Sequence, residues 1–487
     1  MEKKTVPESW GLGKVEALWK GKGSKLDPAM YRGLNIGSCA GKAVVNIILS
    51  RIQDWYEHQL TDNQYGFRSN RGTNDATYIT KRFQQITNDQ TTTGFLLFID
   101  LSAAFDHLVR DWLWTSIRLR LPPELEDTTI IDILQNLYSK TTIEVEGINV
   151  ETTSGVRQGG PESPPLFNLY VDWVMRIFMK HAMEEGLEFF KYKYRIPSTR
   201  AERAELRNAA SSQAQLDWTG YADDTILYLM TLASLQNSLP LIDQIFKRYK
   251  LSVNTKKIES MTTNRKWSYN DDIYPDTVIH LDGKTIKNSS NFRYLGSELV
   301  HNQNTTGEWE IQCRIESARS KFASMINLFT NHKIHLSTRI VFLLAYVRSR
   351  LTYNCQNWTL TAEQFRKLDS TWMIFLRKMI RRGFERHGQE NDEDDENDDN
   401  FKFRYRNSEV LEICKADYVS IFIRKQQRNY AAHVIRADNS CSTKRLMFQE
   451  DKCTKRGRNT NTLLKQVLKN ENISQNDFIR RANNRQF

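Results

Sequence analysis

Two periods of hydrophobic patterning divide this chain. Residues 94–99 (Gly-Phe-Leu-Leu-Phe-Ile) are apolar and end on Asp100, the pattern of a strand buried on both faces. Two further apolar runs, Leu216 with Trp218 and Ile226 to Leu229, bracket Tyr221-Ala222-Asp223-Asp224 and predict a hairpin with the acidic pair at its turn. Residues 141–150 alternate like an exposed hairpin, and a strand pair closes on Phe292-Arg293-Tyr294-Leu295-Gly296. Helical spacing governs 44–60, where Val44, Ile47, Ile48, Ile52 and Trp55 share a face, and recurs over 75–86, 130–137, 166–177 and 235–249. Ser163 followed by Pro164 reads as an N-cap with proline in the first helical position. Asp106 reads either as a functional carboxylate or as the N-cap of the helix through Trp112 and Ile117. Residues 189–215 are polar and basic and predict a helix-containing insertion. From 309 to 382 the pattern is helical throughout, in three striped segments at 311–329, 340–353 and 365–379. An acidic low-complexity linker at 389–400 is expected to be disordered. The basic tail beyond it carries one helix near 418–435 and a polar end from Thr454. Strands and helices first, then helices alone, make an α+β chain.

At 487 residues, 39% hydrophobic and 26% charged, the chain has room for two or three domains and a sizeable core. Its formal charge is +11, and the eight acidic residues between Glu390 and Asp399 mask more, leaving about +19 on the remainder. Charge of that sign fits a polyanionic partner. Six cysteines are scattered without a CxxC pair, which argues against zinc ribbons and knuckles, and Cys441 with Cys453 is the one pair worth weighing. There is no secretory signal and no apolar run near the ~20 residues of a membrane span, so an intracellular protein off the membrane is expected.

The chemistry concentrates in a few places. Two adjacent carboxylates at a tight turn repel each other, and a divalent cation with its preference for oxygen ligands would relieve that repulsion. A solvated turn is the ordinary alternative for Asp223 and Asp224 taken alone. Asp100, at the end of a buried strand, needs a partner for its charge, and a metal supplies one. Arg68 and Arg71, three apart in the turn-rich stretch Asn63-Gln64-Tyr65-Gly66-Phe67-Arg68-Ser69-Asn70-Arg71-Gly72, suit bidentate phosphate contact, although two solvated arginines fit the same pattern. Arg314 is one of several bases on the helical segments, whose cationic face would suit a duplex backbone.

In order along the chain stand Tyr31-Arg32-Gly33-Leu34, Gln64-Tyr65-Gly66-Phe67-Arg68 and Phe98-Ile99-Asp100-Leu101-Ser102-Ala103-Ala104-Phe105-Asp106. Gly155-Val156-Arg157-Gln158-Gly159, Ser163-Pro164, Leu166-Phe167-Asn168, Tyr221-Ala222-Asp223-Asp224, Asn254 with Lys257, and Phe292 to Gly296 follow. The ordered set resembles the reverse transcriptase domain of non-LTR (LINE-type) retrotransposons over roughly residues 10–382. That resemblance implies a right-hand polymerase fold with fingers (1–93), an antiparallel-sheet palm (94–262, with an insertion at about 182–216), a primer-holding hairpin (263–300) and a helical thumb (301–383). An acidic linker (384–402) and a basic C-terminal helical region (403–487) complete it.

The function so implied is RNA-directed DNA polymerisation. Asp100, Asp223 and Asp224 would hold two Mg²⁺ ions, with Mn²⁺ as a substitute. One ion would activate the primer 3′-hydroxyl and the other would brace the departing pyrophosphate. Asp100 and Asp223 are the surest ligands by the family's pattern and Asp224 the less direct. Arg68, Arg71, Gln158 and Lys257 would meet the nucleotide, and Phe105 matches the steric-gate position that excludes a ribose 2′-hydroxyl. Phe292, Tyr294, Gly296 and Arg314 would hold primer and template. The expected partners are an RNA template, a DNA primer and deoxynucleoside triphosphates, with action in the nucleus after cytoplasmic synthesis. The alternatives are a catalytically inactive nucleic-acid-binding remnant and a group II intron maturase-like RNA-binding factor. Two residues depart from the family's pattern, Gly160 where Asp is usual and Glu162 where Leu is common. No endonuclease signature of the apurinic, zinc-knuckle or restriction-like type is found, so the expectation covers polymerisation and not integration.

Overall fold

The apolar run after Gly94 forms the third strand of the chain, β3 (Phe95–Asp100), after β1 (Leu12–Trp19) and β2 (Tyr31–Gly37). The computed structural model describes residues 6–21, 23–102, 104–122, 129–197, 211–263, 279–281, 283–301, 307–380, 405–450 and 461–487; the acidic linker lies outside them. The chain divides into two units. The first comprises Met1–Ala76, Thr93–Lys193 and Gln213–Ser289, the second Thr77–Thr92, Tyr194–Ser212 and Ser290–Phe487.

In the first unit β3 lies inside a six-stranded sheet. Its other strands are β8 (Trp218–Tyr221), β9 (Asp224–Leu229), β10 (Glu259–Thr262), β11 (Ile279–Leu281) and β12 (Lys284–Asn288). Their order is β11-β12-β10-β3-β9-β8, and β3 is antiparallel to both neighbours. All five residues from Phe95 to Ile99 are buried, as expected of a strand covered on two faces. Residues of α1 (Cys39–Gln59), α4 (Arg110–Arg118), α6 (Ser163–Glu184) and α7 (Leu232–Arg248) join β3 in one hydrophobic core; the short α3 (Ala104–His107) and α5 (Thr129–Leu137) also belong to this unit, whereas most of α2 (Thr73–Asp89) belongs to the second. Helix α6 is apolar nearly all round, from Leu166 through Phe178, and so is buried on most of its circumference. Ser38 caps α1 and Thr231 caps α7 through their hydroxyls. A separate sheet, β2-β1-β4-β5, adds the exposed hairpin β4 (Thr142–Val145) and β5 (Ile148–Glu151).

Several boundaries differ from the sequence reading. Glu162, not Ser163, is the N-cap residue of α6, and the Ser163 hydroxyl instead donates to the Arg157 carbonyl at 2.6 Å. Asp106 lies inside α3, and α4 is preceded by Val109 with no side-chain cap. The described flanks of the expected insertion are strands, β6 (Phe190–Tyr194) and β7 (Ser212–Leu216), paired with each other; residues 198–210 lie outside the described set. The stretch 263–300 also divides: β11 and β12 extend the large sheet, while β13 (Asn291–Tyr294) and β14 (Ser297–Val300) form a hairpin of their own in the second unit.

The second unit is mainly helical, as the patterning predicts. Its core joins α8 (Glu308–Ser324), α9 (Leu336–Phe342), α10 (Ala362–Ile380), α11 (Asn407–Cys414) and the start of α12 (Val419–Arg436). A π-helical stretch, Leu343–Arg348, continues α9. The basic tail is more ordered than its polarity implied. Short helices α13 (Ser442–Met447), α14 (Leu463–Glu471) and α15 (Gln475–Asn483) bury Leu463, Val467, Phe478 and Ala482 in a satellite cluster with α12. Buried Gln466 fastens this part by exchanging two hydrogen bonds with the backbone of Leu360. Among the described residues no helix is long and apolar enough to cross a membrane.

Candidate active site

The acidic turn is a two-residue hairpin loop. Tyr221 pairs with Asp224 across β8 and β9, leaving Ala222 and Asp223 at the tip. Ala222 has φ +58°, the sign that tight hairpin turns use and that a residue with a Cβ adopts at a cost of about 1 kcal/mol. The loop is braced from behind. Gly220 and the segment Asn63 to Tyr65 exchange backbone hydrogen bonds of 2.8 Å (Tyr65 N to Gly220 O, Gly220 N to Asn63 O). A Cβ on Gly66 would fall 2.5 Å from the Ala222 nitrogen, so only glycine fits there. Asn168 of α6 donates to the Gly66 carbonyl at 2.7 Å. The motifs around Gly66 and Asn168 thus support the acidic turn.

Asp100 pairs with Asp224 in the β3–β9 register, so their side chains share one face of the sheet, with Cβ atoms roughly 5 Å apart. Asp223 follows at the tip. Burial pushes the Asp223 carboxyl up, with the Asp100 charge adding to the effect, while Lys257 and Arg32 oppose it. Asp224 is pushed up to about 6, first by burial and then by the charges of Asp223 and Asp100. Lys257 Nζ lies 3.0 Å from both oxygens of Asp100, and Asn254 Nδ2 lies 3.1 Å from one of them. The ammonium pairs with Asp100 and only partly offsets the other two carboxylates, whose pKa values stay raised. Among the described residues no group of three or more His, Cys, Asp or Glu is arranged so as to hold a metal ion. The donors are nonetheless all oxygen, and their only partly offset charge fits a hard divalent cation.

A stability effect follows. Because folding raises the Asp224 pKa, the folded chain holds a proton that the unfolded chain releases between about pH 4 and pH 6. Stability therefore falls as pH rises through that window and stays lower above it. Asp224→Asn is expected to stabilise the metal-free protein at pH 7.5 by about 1–2 kcal/mol, allowing for the residue's partial exposure, with the gain shrinking toward pH 4.5. Thermal midpoints in chelator at both pH values measure it; equal gains at the two would contradict the electrostatic cause.

The other expected site residues fall into two groups. Phe105 stacks on buried Phe167, with ring centroids 4.3 Å apart and planes 12° from parallel. Gln158 donates its side-chain amide to the Asp106 carboxylate at 3.0 and 3.2 Å, and its backbone carbonyl accepts from the backbone N–H of Asn35 on β2 at 2.7 Å. Arg68 is engaged within its own loop. Its guanidinium makes four hydrogen bonds, to the Glu57 carboxylate and to the carbonyls of Glu57, Thr61 and Gln64, and its side chain is 4% exposed. Arg71 likewise pairs with Asp62 at 2.5 Å and lies over the Tyr65 ring. Both arginines shape the loop 57–71 rather than offering free forks.

In the second unit Phe292 and Tyr294 lie on β13, and Gly296, with φ +77°, ends the turn to β14. Arg314 is also engaged internally: it is 7% exposed, paired with Glu310 at 2.9 Å, bonded to the Gly296 carbonyl and placed over the Tyr353 ring. Tyr353 donates to the Leu295 carbonyl at 2.9 Å. The arginine thus anchors the hairpin turn from beneath. Residues missed as site members are Arg32, whose charge acts on Asp223, and Asn254, which holds Asp100. Both stood in recognised blocks, but no local pattern distinguished them from loop residues.

Residues 20–299, more than half the chain, match the family described as reverse transcriptase (RNA-dependent DNA polymerase). The Pol polyprotein of the type-1 retrotransposable element R2 from Nasonia vitripennis is 27% identical over 241 residues, 48% of this chain and 20% of that protein. A probable RNA-directed DNA polymerase from transposon BS of Drosophila melanogaster is 25% identical over 175 residues, 34% of this chain and 18% of that protein. The chain therefore spans about a fifth of the length of these relatives. Among solved structures, telomerase from Candida tropicalis in complex with a TWJ fragment of telomeric RNA aligns with 90% of this chain and 64% of its own, at TM-score 0.42 and 11% identity. The acidic turn, the strand ending on Asp100 and the loop carrying Gln158 all lie within the matched span, and the chain belongs to the reverse transcriptase family.

Proposed function

We propose that this protein is an RNA-directed DNA polymerase of a non-LTR mobile element, extending a DNA primer on an RNA template with deoxynucleoside triphosphates. The observation that carries the proposal is the meeting of Asp100, Asp223 and Asp224 at the β3–β9 edge, where Lys257 and Arg32 only partly offset three clustered carboxylates. Two Mg²⁺ ions, or Mn²⁺ in their place, would be held by these carboxylates and would supply charge neutralisation and activation of the attacking hydroxyl. The rest of the chemistry is positioning. Lys257, which rests on Asp100, would meet the triphosphate from the same side. Arg32 on β2 adds positive charge on the same side. The proposed divisions are fingers at 1–93, palm at 94–262, hairpin at 263–300 and thumb at 301–383, with action in the nucleus.

Phe105 is proposed as the sugar gate. Its ring is held by the stack on Phe167, so it cannot swing aside at low cost. Phe105→Ala is expected to raise ribonucleotide relative to deoxynucleotide incorporation by roughly tenfold or more, since removing a clash recovers about 1–3 kcal/mol. Competition between the two nucleotide types on one primer tests this, and an unchanged ratio would count against the gate. For the activity itself, a labelled DNA primer on an RNA template with Mg²⁺ should lengthen. Tight, salt-dependent RNA binding without extension in Mg²⁺ or Mn²⁺ would instead mark an inactive remnant.

A further inference from the structure

Both departures from the family's motif meet at one point. Glu162 is fully buried. One of its oxygens accepts from Arg157 Nη2 at 2.8 Å, from Arg157 Nε at 3.1 Å and from the Tyr138 hydroxyl at 2.9 Å. The other oxygen accepts no hydrogen bond from the described residues. A cavity of about 20 Å³ beside Glu162, bounded also by Asn35, Ser38, Lys42 and Gly160, has room for one water. A Cβ on Gly160 would lie 2.5 Å from one carboxylate oxygen and 2.8 Å from the other. Gly160 is not in the left-handed region, so space rather than backbone conformation calls for glycine there.

What the carboxylate holds is adjacent to the chemistry. Arg157, fixed by Glu162, also donates to the Trp10 carbonyl at 2.8 Å and lies over the Tyr138 ring at 5.1 Å. Its neighbour Gln158 is held to Asn35 and Asp106. Gly159, at φ +109°, allows the backbone to approach the Asn35 carbonyl, which a Cβ would meet at 2.9 Å. The Glu162–Arg157 pair therefore closes the loop 157–162 across its base, with Gln158 next to that closure.

We propose that Glu162 is a positioning residue for the nucleotide site, acting through Arg157 on Gln158, and that this carboxylate is the group a side chain at 160 would strike first. The proposal deepens the polymerase reading and rests on it for its kinetic half; its packing half does not. The test is a cycle of four full-length proteins: the natural chain, Gly160→Ala, Glu162→Ala and the double variant, with Glu162→Gln as a volume-conserving fifth. Thermal midpoints should fall for both single variants, and the double variant should be no worse than Glu162→Ala alone, because the group that alanine at 160 strikes is gone. A double variant that loses the sum of both singles would overturn the coupling. In primer extension, Glu162→Gln and Glu162→Ala should raise the dNTP KM roughly tenfold with kcat little changed, the mark of a displaced contact. A lowered kcat at unchanged KM would reflect a smaller folded fraction and overturn the positioning role. If the natural chain extends no primer, the positioning half falls with the polymerase reading, while the thermal cycle still decides the packing half.

Discussion

Asp223→Asn is expected to reduce primer extension by roughly a thousandfold or more while leaving the protein folded. The substitution keeps the size of the side chain and removes the charge that a divalent cation would need. It also removes part of a repulsion that the fold tolerates at a cost, since burial and the Asp100 charge both raise the Asp223 carboxyl. The variant should therefore melt no lower than the natural protein in chelator, and loss of activity cannot be charged to unfolding. Asp100→Asn should lose activity to the same degree for a second reason, since it also releases Lys257 from the carboxylate oxygens it contacts at 3.0 Å. Extension by purified variants on an RNA template, beside their thermal midpoints, gives both halves of the result. Substantial extension by either variant would remove that carboxylate from the metal-binding role.

The parts of this arrangement that were legible in the sequence were those with short-range signatures. An unbroken apolar run ending on Asp100 can be read as a buried strand without knowing its neighbours, and Tyr221 to Asp224 between apolar runs can be read as a turn. The stripes of α8, α9 and α10 likewise report helices that share a core. Harder to read were side chains whose partners lie far off in sequence. Arg314 stood among exposed bases on a helical stripe, and its burial depends on Gly296 and Tyr353. Asn254 reaches back 154 residues to Asp100. The tail helices α14 and α15 are nine residues each, too short to declare themselves, and they gain stability by packing against α12. Gly160 and Glu162 looked like two unrelated departures because their contact depends on the shape of the loop between them.

Arg68→Ala is expected to destabilise the first unit by about 3 kcal/mol, lowering its thermal midpoint by roughly 5–10 °C. The resemblance placed this residue at the triphosphate, but its fork is committed to Glu57 at 2.9 Å and to three backbone carbonyls between residues 57 and 64. Removing it leaves Glu57 without its cation, with only Gln53 and Ser69 donating to the carboxylate, and takes the charged donor from the three carbonyls. The figure is at the lower end for a buried pair because the Glu57 side chain keeps 22% exposure. The loop so loosened is the one whose Tyr65 and Gly66 support the acidic turn, so the folded fraction should lose kcat before it loses affinity for nucleotide. Arg68→Lys should recover little of the stability, because one ammonium cannot reproduce a planar fork that serves four acceptors. A triphosphate contact predicts the reverse pattern. If Arg68→Ala melts within about 1 °C of the natural protein and raises the dNTP KM, the arginine leaves Glu57 when nucleotide binds, and its family-implied role stands.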